Sequence, residues 1–163
     1  MGSLDRTIGS DQVDTAQVRR VLGGAYLELK RYTEARAAAE AALPVLSARF
    51  GPTHRTVFAT RVDLAQIRGE QGDVDGAIAD LQTIIREREE AHGRDHFQLV
   101  GDYYWLRHFA EVARRWDLAV GAAERALEIA RKAHGPDSPI LADAAADVMK
   151  MKMWAILAKT KRR

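Results

Sequence analysis

The histidines are the first residues in this sequence whose spacing could support chemistry, because imidazole is a common metal ligand and general base. There are five of them: His54, His92, His96, His108 and His134. His92 and His96 are four residues apart, a spacing that places two ligands on one face of a helix. Gly93 lies between them, and a glycine at this point favours termination of the helix. His54 and His96 are 42 residues apart, as are His92 and His134, which indicates repeated structural positions in loops and argues against a metal site.

The other reactive residue types form no recognisable catalytic pattern. The chain has no cysteine, which excludes thiol chemistry and thiolate metal sites. Gly23 and Gly24 lie within a helical pattern with no strand before them, so they do not form a phosphate loop. Asp63 and Asp147 lie on different predicted helices at no known active-site spacing. We therefore expect that the protein is not an enzyme and binds neither a cofactor nor a metal.

Composition and charge narrow the classes of partner. Hydrophobic residues make up 47% of the chain and charged residues 29%, which is typical of a soluble globular protein. The net charge of +2 is too small to favour nucleic acid or an anionic membrane as the main partner. The basic tail from Lys159 to Arg163 is short and contains no aromatic residue, and no apolar run approaches the ~20 residues of a membrane helix. We expect a cytoplasmic protein with no nucleic-acid and no membrane partner.

Glycines at a fixed interval divide the sequence into repeats. The interval is 42 residues, and the glycines are Gly9, Gly51, Gly93 and Gly135. A predicted N-cap follows each glycine at Asp11, Thr53, Asp95 and Asp137, and a second series lies within the repeats at Thr33, Asp75 and Asp117. A fixed period of this size is typical of a solenoid of stacked repeats. Helices that end in this way need a left-handed residue, which predicts positive φ angles at Gly51, Gly93 and Gly135.

Each repeat is predicted to contain two antiparallel helices, A and B. We interpret residues 1–12 as an expression scar followed by the tail of a preceding repeat of a longer protein, with an inter-repeat loop at 8–12. The repeats then cover residues 13–54, 55–96 and 97–138. A terminal capping helix covers residues 139–159 and a basic tail covers 160–163. All these segments are expected to form one domain.

Apolar residues at helical spacing define the predicted buried faces. In the first A helix they are Val18, Val21, Leu22, Ala25 and Leu29. The B helices present small residues instead, and Ala77 and Ala119 are expected to be buried where helices A and B cross. The charged run at 86–90 is expected to be a solvated face, and Pro44 is expected to kink its B helix. The terminal helix is expected to have a polar outer side that shields the last apolar face of the solenoid.

The residues at the crossing of helices A and B also carry a family resemblance. Leu22-Gly23, Tyr26 and Ala35 follow the tetratricopeptide consensus, and Leu64-Ala65 with Ala77 and Leu106 with Ala119 keep the same frame. The chain resembles tetratricopeptide repeats over residues 8–159, and its long period resembles that of the kinesin-light-chain-like subclass. HEAT-type repeats have a similar period but lack this frame. The resemblance implies an all-α fold, a right-handed superhelical solenoid of antiparallel helix pairs with about three and a half repeats.

The same resemblance implies a module whose A helices line a concave groove for a peptide or a partner helix. Transferred position by position, the groove is lined by Gln17, Arg20, Gly24, Asp63, Gln66, Tyr104, Trp105, His108, Asp147, Lys150 and Trp154. Tyr103 is assigned to the core, and the alternative is that Tyr103, Tyr104 and Trp105 are all packing residues. The sequence contains no asparagine, the residue with which related grooves hold a bound backbone. Arg20 and Lys150 are therefore the candidate anchors.

Protein–protein recognition through this groove is the function that the resemblance implies. The Ala- and Arg-rich composition and the repeat type resemble those of bacterial multidomain regulatory proteins. The alternative is a structural role, in which the repeats pack on themselves or on other parts of a parent protein. That role would include self-association through the exposed face of the N-terminal repeat.

Overall fold

Helix is the only regular secondary structure in the computed structural model, which describes residues 4–133 and 139–160. These residues form seven α-helices, and their packing divides into two compact units, Met1–Asp73 and Val74–Arg163. The first unit contains α1 (Leu4–Glu28), α2 (Tyr32–Phe50) and α3 (Arg55–Glu70). The second unit contains α4 (Val74–His92), α5 (Leu99–Val112), α6 (Trp116–Ala133) and α7 (Pro139–Thr160).

The helices follow the alternation predicted from the sequence. α1, α3, α5 and α7 occupy the predicted A positions, and α2, α4 and α6 occupy the predicted B positions. Pro44 lies inside α2, which continues to Phe50. The predicted features at His134, Gly135 and Asp137 lie outside the described residues. The repeat boundaries and the single-domain organisation stay predictions.

The turn between helix A and helix B is built in the same way three times. Each turn contains a residue with a positive φ angle, at intervals of 42 residues: Lys30 (57°), Gly72 (102°) and Arg114 (56°). The next backbone N–H donates to a carbonyl five positions earlier, from Arg31 to Tyr26, from Asp73 to Arg68 and from Arg115 to Ala110. This Schellman arrangement satisfies carbonyls at the end of helix A. Only Gly72 signals it in the sequence, since residues with a Cβ adopt this conformation at a cost.

The residues predicted to cap the B helices lie inside them instead. α2, α4 and α6 begin at Tyr32, Val74 and Trp116, so Thr33, Asp75 and Asp117 are the second residues of their helices. The prediction of these three N-caps is therefore wrong. The left-handed residue reverses the chain so sharply that the residue after it is already the N-cap, as Arg31 is for α2.

Glycines end the B helices α2 and α4, as predicted. The φ angles are 89° at Gly51 and 91° at Gly93, which confirms the expectation for both. The N–H of Gly51 donates to the carbonyl of Ser47, and the N–H of Gly93 donates to that of Glu89, both at 2.9 Å. The glycine N–H groups thus complete the last helical turn. The positive φ angles then turn the chain in a direction that residues with a Cβ disfavour.

The predicted N-caps after these two glycines are wrong. His54, not Thr53, caps α3, because its Nδ1 accepts a hydrogen bond from the backbone N–H of Thr56 at 3.2 Å. α5 begins at Leu99, four residues beyond Asp95. Asp95 is bound instead by Lys132 Nζ at 2.8 Å, so a cation from α6 replaces the helix N-terminus as the partner of this carboxylate.

The N-terminal helix overturns a further expectation. α1 runs without interruption from Leu4 to Glu28, so the inter-repeat loop predicted at 8–12 is wrong. Gly9 and Asp11 lie in helical backbone. A glycine in a helix costs only ~1 kcal/mol relative to alanine, and the helical residues on both sides outweigh that cost. The interpretation of residues 1–12 as the tail of a preceding repeat stays a prediction.

Small buried residues recur at one repeat position. Ala35, Ala77 and Ala119, spaced by 42 residues, are fully buried, which confirms the expected burial of Ala77 and Ala119. Gly23 acts from the opposite helix: a Cβ added there would lie 3.5 Å from both the carbonyl oxygen of Ala35 and the Cβ of Ala38. The α1–α2 contact therefore has little room for larger side chains.

Two apolar faces are exposed where burial or polar residues were expected. The predicted core residues Val18, Val21, Leu22 and Ala25 on α1 and Leu29 just after it are all exposed. The residues 42 positions further on include Thr60 and Ile67, which are buried because α3 follows a B helix, whereas no helix precedes α1 in the described residues. On α7 the predicted polar outer side is also wrong, because it presents Met149, Met153, Ile156 and Leu157 to solvent.

The second unit contains a buried ion pair that sequence analysis does not predict. Arg88 and Asp102 are 2% and 4% exposed, and Arg88 Nε lies 2.7 Å from Asp102 Oδ2. The expectation that residues 86–90 form a solvated face is therefore wrong for Arg88. Its side chain turns into the α4–α5 contact, where it also donates to Gln98 Oε1 at 2.7 Å. Burial raises the pKa of Asp102 to about 6, against the opposite effect of Arg88.

The equivalent residues in the first unit are uncharged. Leu46 and Thr60 occupy the positions 42 residues before Arg88 and Asp102, and both are fully buried. The Thr60 hydroxyl donates to the carbonyl of Thr56 at 2.9 Å, so it needs no partner from the neighbouring helix. The α2–α3 contact therefore supplies a neutral, buried pair of residues with which to replace the ion pair.

We predict that Gly93→Ala lowers the free energy of unfolding by about 1 kcal/mol, because a Cβ is disfavoured at its left-handed φ angle. A Cβ at Gly93 would meet no atom within 4 Å, so no steric clash contributes. Gly121→Ala is the matched control: it lies inside α6, is exposed and is equally uncrowded. That variant should gain about 0.5–1 kcal/mol from helix propensity. Urea denaturation followed by circular dichroism measures both, and equal effects would contradict the assignment of Gly93.

We predict that Arg88→Leu combined with Asp102→Thr leaves the free energy of unfolding at neutral pH unchanged or raises it by up to about 2 kcal/mol. Well-packed neutral residues commonly replace a buried ion pair without loss. Arg88→Leu alone should lower the stability by about 3–5 kcal/mol, because it leaves Asp102 buried without its cation. Chemical denaturation of the three proteins measures these differences. A double variant as unstable as the single one would show that the ion pair is needed for the contact.

The same double variant should change the dependence of stability on pH. The pKa of Asp102 is about 6 in the folded chain and ~3.9 in an unfolded one. The folded state therefore holds the proton more tightly, and the stability that Asp102 contributes is present below about pH 4 and is lost as the pH rises through 6. The advantage of the double variant over the natural sequence should thus be larger at pH 7 than at pH 4.5. An advantage independent of pH would contradict the assigned pKa.

Candidate functional site

Three aromatic side chains lie together on α5 in the second unit. The ring centroid of Trp105 lies 5.2 Å from that of Tyr104 and 5.7 Å from that of His108, and both contacts are edge-to-face. Trp105 also stacks on the buried Phe109 at 6.2 Å. Tyr104 is 47% exposed, whereas Trp105 and His108 are half-buried. The preceding Tyr103 is buried, which confirms its assignment to the core.

Arg107 connects this aromatic cluster to α7. Its guanidinium lies over the Tyr104 ring, 4.9 Å from the centroid, and its side chain is 8% exposed. It also forms ion pairs with Glu111 at 3.2 Å and with Asp147 at 3.4 Å. Lys150 contacts the same Glu111 at 3.1 Å. Through Arg107 and Glu111, the structure brings together five predicted site residues, which are Tyr104, Trp105, His108, Asp147 and Lys150.

Trp154, the sixth candidate in this unit, makes its ring contact elsewhere. It is 40% exposed and stacks on Trp116 with a centroid distance of 6.0 Å and an interplanar angle of 17°. Trp116 begins α6 and borders a cleft of about 250 Å³. The other residues that line the cleft are Arg114, Arg115, Asp117, Leu118, Ala155, Ala158 and Lys159. Lys159 is paired with Asp117 at 3.4 Å, which reduces the positive charge of the cleft.

The five remaining candidates belong to the first unit; one is Gly24, which is half-buried on α1, and the other four form a separate polar set. Gln17 on α1 is exposed, and Arg20, Asp63 and Gln66 are half-buried. Burial raises the pKa of Asp63 to about 6, and the charge of Arg20 acts in the opposite direction. α1 and α3 therefore bring Arg20 and Asp63 close enough to interact.

Sequence reasoning missed Arg107, Glu111 and Trp116 as neighbours of the candidate residues. Arg107 precedes Glu111 by four positions and follows Tyr104 by three, spacings at which helical side chains meet. This local signal was available. The burial of Arg107 was not, because it depends on α7 and on the Asp147 carboxylate.

The described residues contain no group of three or more His, Cys, Asp or Glu side chains placed to hold a metal ion. His54 has a structural role as the cap of α3, and it also stacks on Phe50 at 4.7 Å. Among the described helices, none combines the length and apolar character needed to cross a bilayer.

Sequence comparison identifies the repeats directly. Two family models, both described as tetratricopeptide repeat, match the chain, one over residues 2–53 and the other over residues 57–98 and 113–140. Comparison with curated proteins finds no match.

Solved structures share the fold at low sequence identity. The nearly identical TPR-like repeats of a kinesin-light-chain-like protein from Podosopora anserina match with a TM-score of 0.73 and 15% identity, over 85% of this chain and 66% of that chain. A point variant of that protein gives a TM-score of 0.72 at 16% identity, with the same coverage. BtubC (BKLC) from P. vanneervenii matches with a TM-score of 0.67 and 19% identity, over 90% of this chain and 63% of that chain. The chain spans slightly less than two thirds of the length of each of these structures.

These matches confirm the predicted fold class, an all-α solenoid of helical repeats with kinesin-light-chain-like structural neighbours. The family models cover most of the chain, and repeats of this kind generally mediate interactions between proteins. The chain belongs to the tetratricopeptide repeat family.

Proposed function

We propose that the chain is a protein–protein interaction scaffold that binds a peptide or partner segment on the face formed by α5 and α7. The observation that supports this most directly is the aromatic cluster of Tyr104, Trp105 and His108 beside the ion pairs of Arg107. This face combines flat aromatic area with polar groups that are already held in position, and Trp, Tyr and Arg are the residues in which binding hot spots are enriched.

Trp105 is the proposed anchor of this face. Its contacts with Tyr104, His108 and Phe109 hold the indole in place before any partner arrives. A side chain that is already ordered loses less conformational entropy on binding. The half-buried indole therefore offers an apolar contact surface at low entropic cost, and the exposed ring of Tyr104 enlarges that surface.

The charges around the anchor are balanced. Arg107 and Lys150 are matched by Glu111 and Asp147, and these four side chains contact one another. A partner that consisted only of an acidic tail would gain little from such a surface. We propose that the partner segment carries an apolar or aromatic side chain for Trp105, flanked by charges of either sign.

The polar residues of the first unit are proposed as additional contacts on its own A helices. Gln17 and Gln66 offer amide groups that can bind a peptide backbone, and Arg20 offers a cation beside Asp63. In the second unit we propose Trp154 as a contact at the end of α7, where its indole is partly exposed.

We further propose that this scaffold works in the cytoplasm as part of a larger bacterial regulatory protein, without catalytic activity and without a nucleic-acid partner. The Ala- and Arg-rich composition and the small net charge of +2 support this assignment. The similarity to BtubC is in line with it but reflects the fold alone.

The rival function is structural, with self-association through the N-terminal repeat face. The specific observation in its favour is the exposure of Val18, Val21, Leu22 and Leu29 on α1. A molar mass that rises with concentration and falls back to that of the monomer in Val21→Glu would favour this rival.

We predict that Trp105→Ala weakens the binding of a partner peptide about 30-fold or more, because loss of a central aromatic anchor typically costs 2 kcal/mol or more. The probe is a fluorescein-labelled peptide selected against the natural chain from a random phage-displayed library. Fluorescence anisotropy measures the dissociation constant. Lys150→Ala should act mainly on the association rate and its salt dependence.

Phe97→Ala is the matched control for the loss of an aromatic ring. Phe97 is 65% exposed and lies in the loop before α5, outside the proposed face. It should leave the dissociation constant unchanged, and circular dichroism should show that both variants remain folded. Failure to select any peptide, or equal losses in the two variants, would contradict the proposed site. Unfolding of Trp105→Ala would show instead that Trp105 is a packing residue.

A further inference from the structure

α7 carries apolar side chains on two opposite faces. Its inner face packs on α6, where Val148 and Met151 join the cluster that contains Ala119, Ala123 and Leu127. Its outer face is a stripe formed by Ala142, Ala146, Met149, Met153, Ile156 and Leu157, all of them exposed. At the helical period these six positions fall within an arc of roughly 100°. We call them the outer stripe. A helix that is apolar on both sides is normally covered on both sides.

The outer stripe is a continuous exposed apolar patch. Met149 is 73% exposed, Ile156 63%, Met153 51% and Leu157 42%. Together these four side chains expose on the order of 400 Å², the size of the largest apolar patch on a typical soluble monomer, and such a patch is often functional.

The repeat register indicates what kind of element fits on this stripe. Met149 and Met153 lie three periods of 42 residues after Gly23 and Leu27 of α1. Gly23 and Leu27 are buried, and both face α2: Gly23 lies against Ala35 and Ala38, and Leu27 shares a core cluster with Ala35. In a repeat, this position of helix A therefore receives an antiparallel helix rich in small residues. Met149 and Met153 of the outer stripe occupy the equivalent position, and no such helix covers them in the described residues.

We propose that the outer stripe binds the outer stripe of a second copy of this chain, with the two α7 helices antiparallel across a two-fold axis near Met149. Small and large residues are segregated along the stripe, with Ala142 and Ala146 in its first half and Ile156 and Leu157 in its second. Antiparallel pairing places the alanines of one copy against the large side chains of the other, as the repeats themselves pair small residues with larger ones. One helix thus supplies both sides of a complementary contact.

The helix dipoles favour the same arrangement, because antiparallel copies place opposite helix ends side by side, whereas a parallel pair would bring like ends together. The charged side chains of α7 do not choose between the two arrangements, since those of Asp147, Lys150, Lys152 and Lys159 are already paired within the chain. Burial of both stripes and their flanks removes roughly 1,000 Å² from solvent, at the lower limit for a specific interface. The dimer is therefore weak, with a dissociation constant on the order of 10 µM.

Sedimentation velocity of the full chain over a concentration series tests the proposal. The expected result is a monomer–dimer equilibrium, which Met153→Glu combined with Ile156→Glu weakens at least 30-fold. Both residues are exposed, and circular dichroism and thermal unfolding should show that the variant remains folded. Val21→Glu is the matched control, because it places the same charge on the exposed apolar face of α1 and should leave the dimer intact.

The outcomes separate this contact from its rivals. A chain that stays monomeric far above the expected dissociation constant overturns the proposal. A dimer that Val21→Glu abolishes would show contact through the α1 face and would overturn the proposal. Assemblies that grow beyond two copies would show head-to-tail contact and would also overturn it. Trp105→Ala should not change the sedimentation, so failure of the dimer is distinguishable from failure of the proposed peptide face.

Cross-linking tests the antiparallel orientation, since the natural chain has no cysteine. Met149→Cys should be linked to itself by a short bismaleimide, because it lies near the two-fold axis. Met153→Cys should be linked efficiently only when it is mixed with Ala146→Cys. Efficient linking of Met153→Cys to itself would indicate parallel helices and would overturn the proposed geometry.

Discussion

The close approach of paired helices is the constraint on which the rest of the structure depends. Ala35, Ala77 and Ala119 are fully buried at one repeat position. In the first pair, Gly23 meets Ala35 from the opposite helix, so backbone approaches backbone with little side chain between. Packing at this distance fixes where the next helix begins. It explains why the turns from A to B use the same left-handed residue at 42-residue intervals, whether that residue is glycine, lysine or arginine.

Other repeat positions differ from one repeat to the next, so equivalent contacts between helices are made by different kinds of residue. The pair Leu46 and Thr60 makes an apolar contact in the first unit, and Arg88 and Asp102 make a buried ion pair at the equivalent place in the second. A buried ion pair contributes little net stability, because desolvation offsets most of the attraction between the charges.

The proposed functional surfaces also lie at repeat positions whose residue types vary. Positions that face neither partner helix can carry aromatic and charged residues without disturbing the frame, as Tyr104 and Lys150 do. Arg107 shows how such a surface is held in place, since its guanidinium contacts an aromatic ring and two carboxylates while it is almost fully buried. The exposed stripes on α1 and α7 have a different origin. Several of their positions, such as those of Val18 and Met149, are buried in other repeats.

The sequence by itself determined the helical class, the period, the order of A and B helices, the positive φ angles at Gly51 and Gly93 and the burial of Ala77 and Ala119. These features are local, or recur at a fixed interval, so composition and spacing are sufficient to predict them. The structure also decided two local features that the spacing did not predict, the cap of α3 by His54 and the continuity of α1 through Gly9. Only the tertiary structure decided the contact of Asp95 with Lys132, the burial of Arg88 and Arg107 and the exposure of Leu22 and Met149. In these cases the deciding factor is the presence or absence of a neighbouring helix or side chain distant in sequence. Desolvation and hydrophobic burial depend on that neighbour, and the helical pattern is the same with or without it.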